Sequence, residues 1–186
     1  MILEAYRDGI FPMGDPHTGL VMWHQPSPRA VIPLDQFHVS RSLARTLRLG
    51  RFTVTFNQAF ARVVDACAER PGETWITGKI RDAYVALYEQ GHAGSVEVWL
   101  NDQLAGGVYG VHIGGAFFAE SKFHRVRDMS KVALAHLVFR LRERGFSLLE
   151  VQYLTRHLAQ FGAVQIEHYD YLRLLRAAIR RQCRFN

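Results

Sequence analysis

The sequence predicts a mixed α/β protein, an α+β arrangement on one sheet, with a small helical and irregular subdomain ahead of it. Three observations carry this. After residue 91 a run of consecutive strand-like segments passes into alternating helix and strand patterns, the order of a sheet that is antiparallel first and then crossed by helices. An apolar fraction of 48% against 22% charged residues is that of a globular chain, and 186 residues suffice for one domain with a small appendage. Residues 1–36 are punctuated by Gly9, Pro12, Gly14, Pro16, Gly19, Pro26, Pro28 and Pro33 and read as irregular.

Ser40 is placed to cap a helix over 41–49. Residues 52–56 alternate as a strand. Asn57 is placed to cap a second helix with Phe60, Val63, Val64 and Cys67 inward. Thr77 would cap a third, with Ile80, Tyr84, Leu87 and Tyr88 inward and Gly91 closing it. The chain therefore divides into an N-terminal subdomain, 1–90, and a sheet domain, 91–186. Strands over 96–100 and 103–113 pair across an Asn101-Asp102 turn, and Gly114-Gly115 turns into a strand over 116–120. Asp128 or Ser130 starts a long helix to about residue 144, with Leu134, Leu137, Val138 and Leu141 on one face. A strand over 147–153, a short helix over 156–161, a strand over 163–166 and a helix over 169–182 complete the chain. That order is similar to acyltransferase folds of the N-acetyltransferase type.

The formal charge is +6, and of 23 basic residues only Lys79, Lys122 and Lys131 are lysine. Arginine reads phosphate through a planar fork of donors, so a nucleic acid is a candidate partner. Arg173, Arg176, Arg180 and Arg184 fall within an arc of roughly 80° on the last predicted helix, and Arg41, Arg45 and Arg48 within a similar arc on the first. Neither stripe has acidic partners at four-residue spacing. The competing explanation is a solvated helix face.

Two cysteines, Cys67 and Cys183, make neither a disulfide framework nor a zinc knuckle, and the nine histidines show no ligand spacing. No metal or other cofactor is expected. Cys67 should lie in the core and Cys183 near a frayed end. No apolar run is long enough to cross a membrane and the first residues do not read as a signal peptide, so a cytoplasmic protein without a membrane partner is expected. Ser121 has no nucleophile elbow around it. Residues 121–129 contain no glycine, and so no turn of the kind that cradles the pyrophosphate of coenzyme A.

Glu120 ends an apolar run that includes Phe117 and Phe118. A carboxylate buried there without partners would be costly, so a pocket is expected. Glu150 and Gln152 lie two apart on a predicted strand and share a face with Leu148 and Leu154. A structural, paired Glu and Gln is the alternative. Trp23 and Trp75 sit at loop edges, where an indole stacks on a base or packs under the loop. Trp99 lies in a strand and reads as core.

Several segments together resemble the leucyl/phenylalanyl-tRNA protein transferase family over residues 6–175. They are Gly9-Ile10-Phe11-Pro12, the Trp23 neighbourhood with Pro28-Arg29, residues 37–42, Thr74-Trp75-Ile76, Gly91-His92-Ala93, residues 95–99 and 106–110, Glu120-Ser121, Ser130-Lys131, and His157 with Gly162-Ala163. Their order and spacing are the specific signal. The resemblance implies an aminoacyltransferase that moves Leu, Phe or Met from aminoacyl-tRNA to proteins beginning with Arg or Lys, marking them for N-end-rule degradation. It implies a donor pocket including Val108, Phe117, Leu134 and Leu137, with Trp23 and Trp75 bordering the aminoacyl-adenosine. Glu120, Glu150 and Gln152 would form the polar catalytic centre; a neutral amide is no base, so Gln152 is expected to orient the substrates, Glu150 to accept or relay the proton, and Glu120 to fix an amino group in the pocket. Arg41, Arg45 and Arg48 would face the tRNA.

Four departures from the family pattern stand out: Glu150 in place of Asp, Lys122 and His124 beside Ser121, Gly94 in place of His, and a start that lacks the family's glycine-rich segment ahead of Tyr6. Two other readings stand beside the transferase: a weakened tRNA- or N-degron-binding homologue, and a coenzyme-A-dependent N-acetyltransferase. A monomer is the expected state.

Overall fold

The computed structural model describes residues 2–69 and 72–186. α1 (Ile2–Arg7) leads into a hairpin of β1 (Phe11–Gly14) and β2 (Val21–His24), followed by the short strand β3 (Arg29–Val31). Then come α2 (Arg41–Leu49), β4 (Thr53–Phe56), α3 (Phe60–Ala68) and α4 (Gly78–Glu89). Three long strands follow: β5 (Ala93–Leu100), β6 (Gln103–Ile113) and β7 (Ala116–His124). α5 (Met129–Glu143), β8 (Leu148–Gln152), α6 (Arg156–Ala159), β9 (Val164–Ile166) and α7 (His168–Ile179) close the chain.

Seven strands form one sheet in the order β4-β5-β6-β7-β8-β3-β9. β7 and β8 run parallel, which requires a crossover, and α5 supplies it. The other neighbours in this sheet are antiparallel. Side chains alternate between its faces with period two. Val108, Phe117 and Leu149 pack under Val132, Leu134, Leu137 and Leu141 of α5, with Leu43 of α2. Their neighbours Tyr109, Phe118 and Leu148 face the opposite layer, where Val63 and Val64 of α3, Ile80 and Tyr84 of α4, Tyr6 of α1 and Leu175 of α7 lie.

The main departure from the sequence reading is at the N-terminus. Residues 1–36 are not irregular: they hold a helix and three strands, and β3 sits inside the main sheet between β8 and β9. Strands of three or four residues with prolines nearby are too short to display alternation. Asn57 does not cap α3; it has φ 59°, and its Oδ1 accepts the Ser95 N–H at 2.8 Å. Thr77 occupies the cap position of α4 without a capping hydrogen bond from its side chain. β7 continues four residues past Glu120, to His124.

The last residues are packed, not frayed. Phe185 is 1% exposed and its ring lies 5.2 Å from that of Phe117. Cys183 is half-buried and its thiol donates to the Gly145 carbonyl at 3.3 Å. This tail explains Gly94: a Cβ there would lie 2.5 Å from the Phe185 ring. Cys67 is buried, as its helical pattern predicts.

Candidate active site

Two irregularities in the sheet aim the polar residues. Tyr109 faces Ser121 across the β6–β7 ladder while Gly110 faces Ala119, so Glu120 is the extra residue of a β-bulge. Gly110 permits the close approach: a Cβ there would sit 2.1 Å from the Phe118 carbonyl oxygen. On the other side, Ala30 faces Gln152 and Val31 faces Glu150, which leaves Val151 as the extra residue of β8. Gln152 then leaves the strand with φ 57°, a left-handed conformation that costs a non-glycine residue energy. The Glu150 carboxylate holds it there, accepting the Gln152 N–H at 2.7 Å.

Glu120 is the centre of a hydrogen-bond cluster. One carboxylate oxygen accepts the Tyr6 hydroxyl at 2.6 Å and the other accepts the Tyr84 hydroxyl at 3.0 Å. The Gln152 amide donates to it at 3.4 Å. Burial pushes the Glu120 carboxyl up to about 8, against the lowering effect of the Tyr6 hydrogen bond; the neighbouring Glu150 charge raises it further. Burial also raises both phenols well above their ordinary range, so each remains a donor.

Glu150 is different in kind. It is fully buried against Arg29 of β3, itself 1% exposed, at 3.2 Å. The Arg29 guanidinium also donates to the Gly9 carbonyl and, at 3.4 Å, to the Tyr171 hydroxyl, and stacks 4.4 Å from the Tyr171 ring. Burial raises the Glu150 carboxyl while Arg29 opposes the rise.

Three cavities meet at Glu120. One of about 90 Å³ is lined by Val108, Ala119, Leu134, Val151 and Leu158, with Gln152 on its wall. A second of about 100 Å³ lies among Phe11, Met13, Trp75 and Tyr153. The third, about 620 Å³, is lined by Trp75, Ser121, Lys122, His124, Ser130 and His157.

The structure therefore brings Glu120, Gln152, Val108, Leu134 and Trp75 together. Phe117 and Leu137 line none of these cavities; they lie deeper in the core under α5. Glu150 lines none either, and Trp23 is 47% exposed on β2. Leu154 is past the end of β8 and does not share a strand face with Glu150. Trp99 is half-buried, its indole N–H donating to Thr55 at 2.8 Å. Arg41, Arg45 and Arg48 are exposed on α2. Arg176, Arg180 and Arg184 are exposed too, but Arg173 has an acidic partner three residues earlier, Asp170 at 3.4 Å. Sequence reasoning missed Tyr6, the hydroxyl of Tyr84, Arg29 and Tyr171. An arginine opening a three-residue strand beside two prolines was the only mark of the buried pair.

Comparison with known proteins identifies the family. A model described as leucyl/phenylalanyl-tRNA protein transferase matches residues 31–176, and one for that family's N-terminal domain matches residues 1–27. The chain belongs to this family. It is 48% identical over 185 residues to the leucyl/phenylalanyl-tRNA–protein transferase of Gloeobacter violaceus, covering 100% of this chain and 95% of that one. Against the Novosphingobium aromaticivorans protein of the same name it is 54% identical over 184 residues, covering 97% and 70%. The enzyme is thus an aminoacyltransferase that moves Leu or Phe to the N-terminus of proteins, with aminoacyl-tRNA as its donor. Among solved structures, a GCN5-related N-acetyltransferase from Kribbella flavida superposes with TM-score 0.51 at 15% identity, covering 84% of this chain and 56% of that one. That likeness is one of fold and bears out the N-acetyltransferase-type sheet. Among the described residues no helix is long and apolar enough to cross a membrane.

Proposed function

We propose that transfer takes place at Glu120 and Gln152, and that the acceptors are proteins beginning with Arg or Lys. The observation that supports this reading is the meeting of an apolar cavity and two others on one buried carboxylate. The donor side chain enters the 90 Å³ cavity. Trp75 borders the aminoacyl-adenosine. The ester is already activated, so the enzyme has to orient two substrates, take a proton from the acceptor's neutral amino group as it adds to the ester carbonyl, and return it to the ribose oxygen as the ester C–O bond breaks. Glu120, open to the cavities and poised near neutrality, takes that proton; Gln152 orients the reacting groups through its amide. Glu150 acts behind them, fixing the backbone of Gln152. The marked products are N-end-rule substrates, in the cytoplasm. Transfer of labelled Phe and Leu from charged tRNA to peptides starting with Arg, Lys, Ala or Glu tests the proposal, which requires transfer to the first two alone.

The cavity also sets donor choice. Val108, Leu134, Val151 and Leu158 discriminate by shape, and an apolar pocket separates a methylene by only about 1–3 kcal/mol. Leu, Phe and Met should all be transferred. Donors branched at Cβ should collide at the mouth beside Glu120, so efficient transfer from isoleucyl- or valyl-tRNA would reject this pocket.

Arg41, Arg45 and Arg48, with Arg173, Arg176 and Arg180 as a second and partly neutralised stripe, are the proposed phosphate contacts. Reversing the charge of Arg45 and Arg48 together should weaken charged-tRNA binding and flatten its dependence on salt, by about one unit of slope for each phosphate left unneutralised. An unchanged slope, measured by titration across salt concentrations, would mark α2 as a solvated face.

A further inference from the structure

The largest cavity at the site is rich in hydrogen-bond donors. β7 contributes Lys122 and His124 to its lining, α5 contributes Ser130, and α6 contributes His157. The Ser130 hydroxyl and His124 Nδ1 lie 3.3 Å apart. Burial, and after it the charges of Lys122, Lys131 and His124, hold the His157 imidazole below its ordinary value. Lys131 is already answered by Asp128 at 2.8 Å. Glu120 lines the cavity as well, its carboxylate accepting the Tyr6 and Tyr84 hydroxyls. An ammonium, a hydroxyl and two imidazoles around one open space are a donor set that phosphate oxygens accept from.

We propose that this cavity is a phosphate subsite for the donor, taking the phosphodiester on the 5′ side of the nucleotide that carries the amino acid. The inference rests on reading the 90 Å³ cavity as the donor pocket. Glu120, Ser121 and Lys122 line both cavities. An amino acid seated in the apolar one hangs by its ester from a ribose, and the phosphate leaves the other end of that ribose. It therefore emerges within one sugar of Ser121 and Lys122, on the side of the larger cavity. There the ammonium of Lys122, the hydroxyl of Ser130 and the imidazoles of His124 and His157 offer donors to its oxygens. Contacts of this kind read no base; they fix where the ester sits relative to Glu120. Two of the departures from the family pattern, Lys122 and His124, become parts of one site.

The test uses two non-hydrolysable donors, an amide-linked phenylalanyl-adenosine with a free 5′ hydroxyl and the same compound with a 5′-phosphate. The wild-type enzyme should bind the phosphate form about tenfold more tightly. A His124→Gln/His157→Gln double variant should lose part of this preference, and Lys122→Glu should prefer the unphosphorylated form. Because each protein is compared with itself, a general loss of structure does not imitate this result. Equal binding of both forms by the wild type, or a preference left undiminished in either variant, overturns the subsite. Competition against charged tRNA in the peptide-transfer assay separates the two levels. If the unphosphorylated compound inhibits and the phosphate adds nothing, the subsite alone falls. If neither compound inhibits, the donor-pocket reading falls and the subsite with it.

Discussion

Glu120→Gln is expected to lower single-turnover transfer to an Arg-initiated peptide by roughly 10²–10⁴-fold, the range of lost acid–base catalysis, with donor binding little changed. The substitution keeps the shape of the side chain and an oxygen for the Tyr6 or Tyr84 hydroxyl, so the cavities should persist. The pH dependence carries the decisive information. Burial raises the Glu120 carboxyl to about 8, so below that pH it is mostly protonated and cannot accept a proton. Wild-type transfer should therefore rise with pH through this value. The acceptor's own ammonium titrates at about 7.7–8.0, and its deprotonation raises the rate as well. In the wild type the two titrations combine into a steep rise; in Glu120→Gln only the acceptor's remains, and the rise should be shallower. Profiles of equal steepness would take Glu120 out of the proton transfer.

Arg29→Met should be the most destabilising single change at the site, by about 3–5 kcal/mol, because it strands the buried Glu150 carboxylate without its cation. For a chain of this size each kcal/mol moves the midpoint of thermal unfolding by about 2–4 °C. The companion variant decides the interpretation. The pair is incompletely satisfied: one Glu150 oxygen and the Arg29 Nε have no hydrogen-bond partner among the described residues. Its net contribution is therefore small although the cost of breaking it is large. Arg29→Met/Glu150→Gln should recover much of the lost stability in urea unfolding, since a glutamine oxygen can still accept the Gln152 N–H. If Glu150→Gln alone abolished transfer while leaving stability and the conformation of Gln152 unchanged, Glu150 would have a role in the chemistry beyond support.

The parts of this molecule that were legible in the sequence are those with a period. α5 and the long strands β5 and β6 repeat their apolar residues often enough to fix type and face. Glu120 was visible as a carboxylate where an apolar strand should continue. The bulge that aims it was not, because the offset depends on Gly110, a neighbour across the ladder and not along the chain. Arg29 was hidden for a related reason: a buried ion pair has no periodic signature, and three residues of strand are too few to alternate. Phe117 and Leu137 share the apolar character of Val108 and Leu134 and differ from them only in depth, which composition does not encode. Tyr6 carried no mark in the sequence, and only its hydroxyl made it part of the site.

The position of β3 sets the order in which the protein can be finished. Its hydrogen-bonding partners on either side, β8 and β9, leave the ribosome long after it does. At a synthesis rate of about 5–20 residues per second, roughly 7–27 s pass between the emergence of Val31 and that of Ile166. During that interval the strand bearing Arg29 has unpaired backbone on both edges. The same delay postpones the ion pair that secures Gln152, so a growing chain acquires its transfer centre only after β8 has emerged.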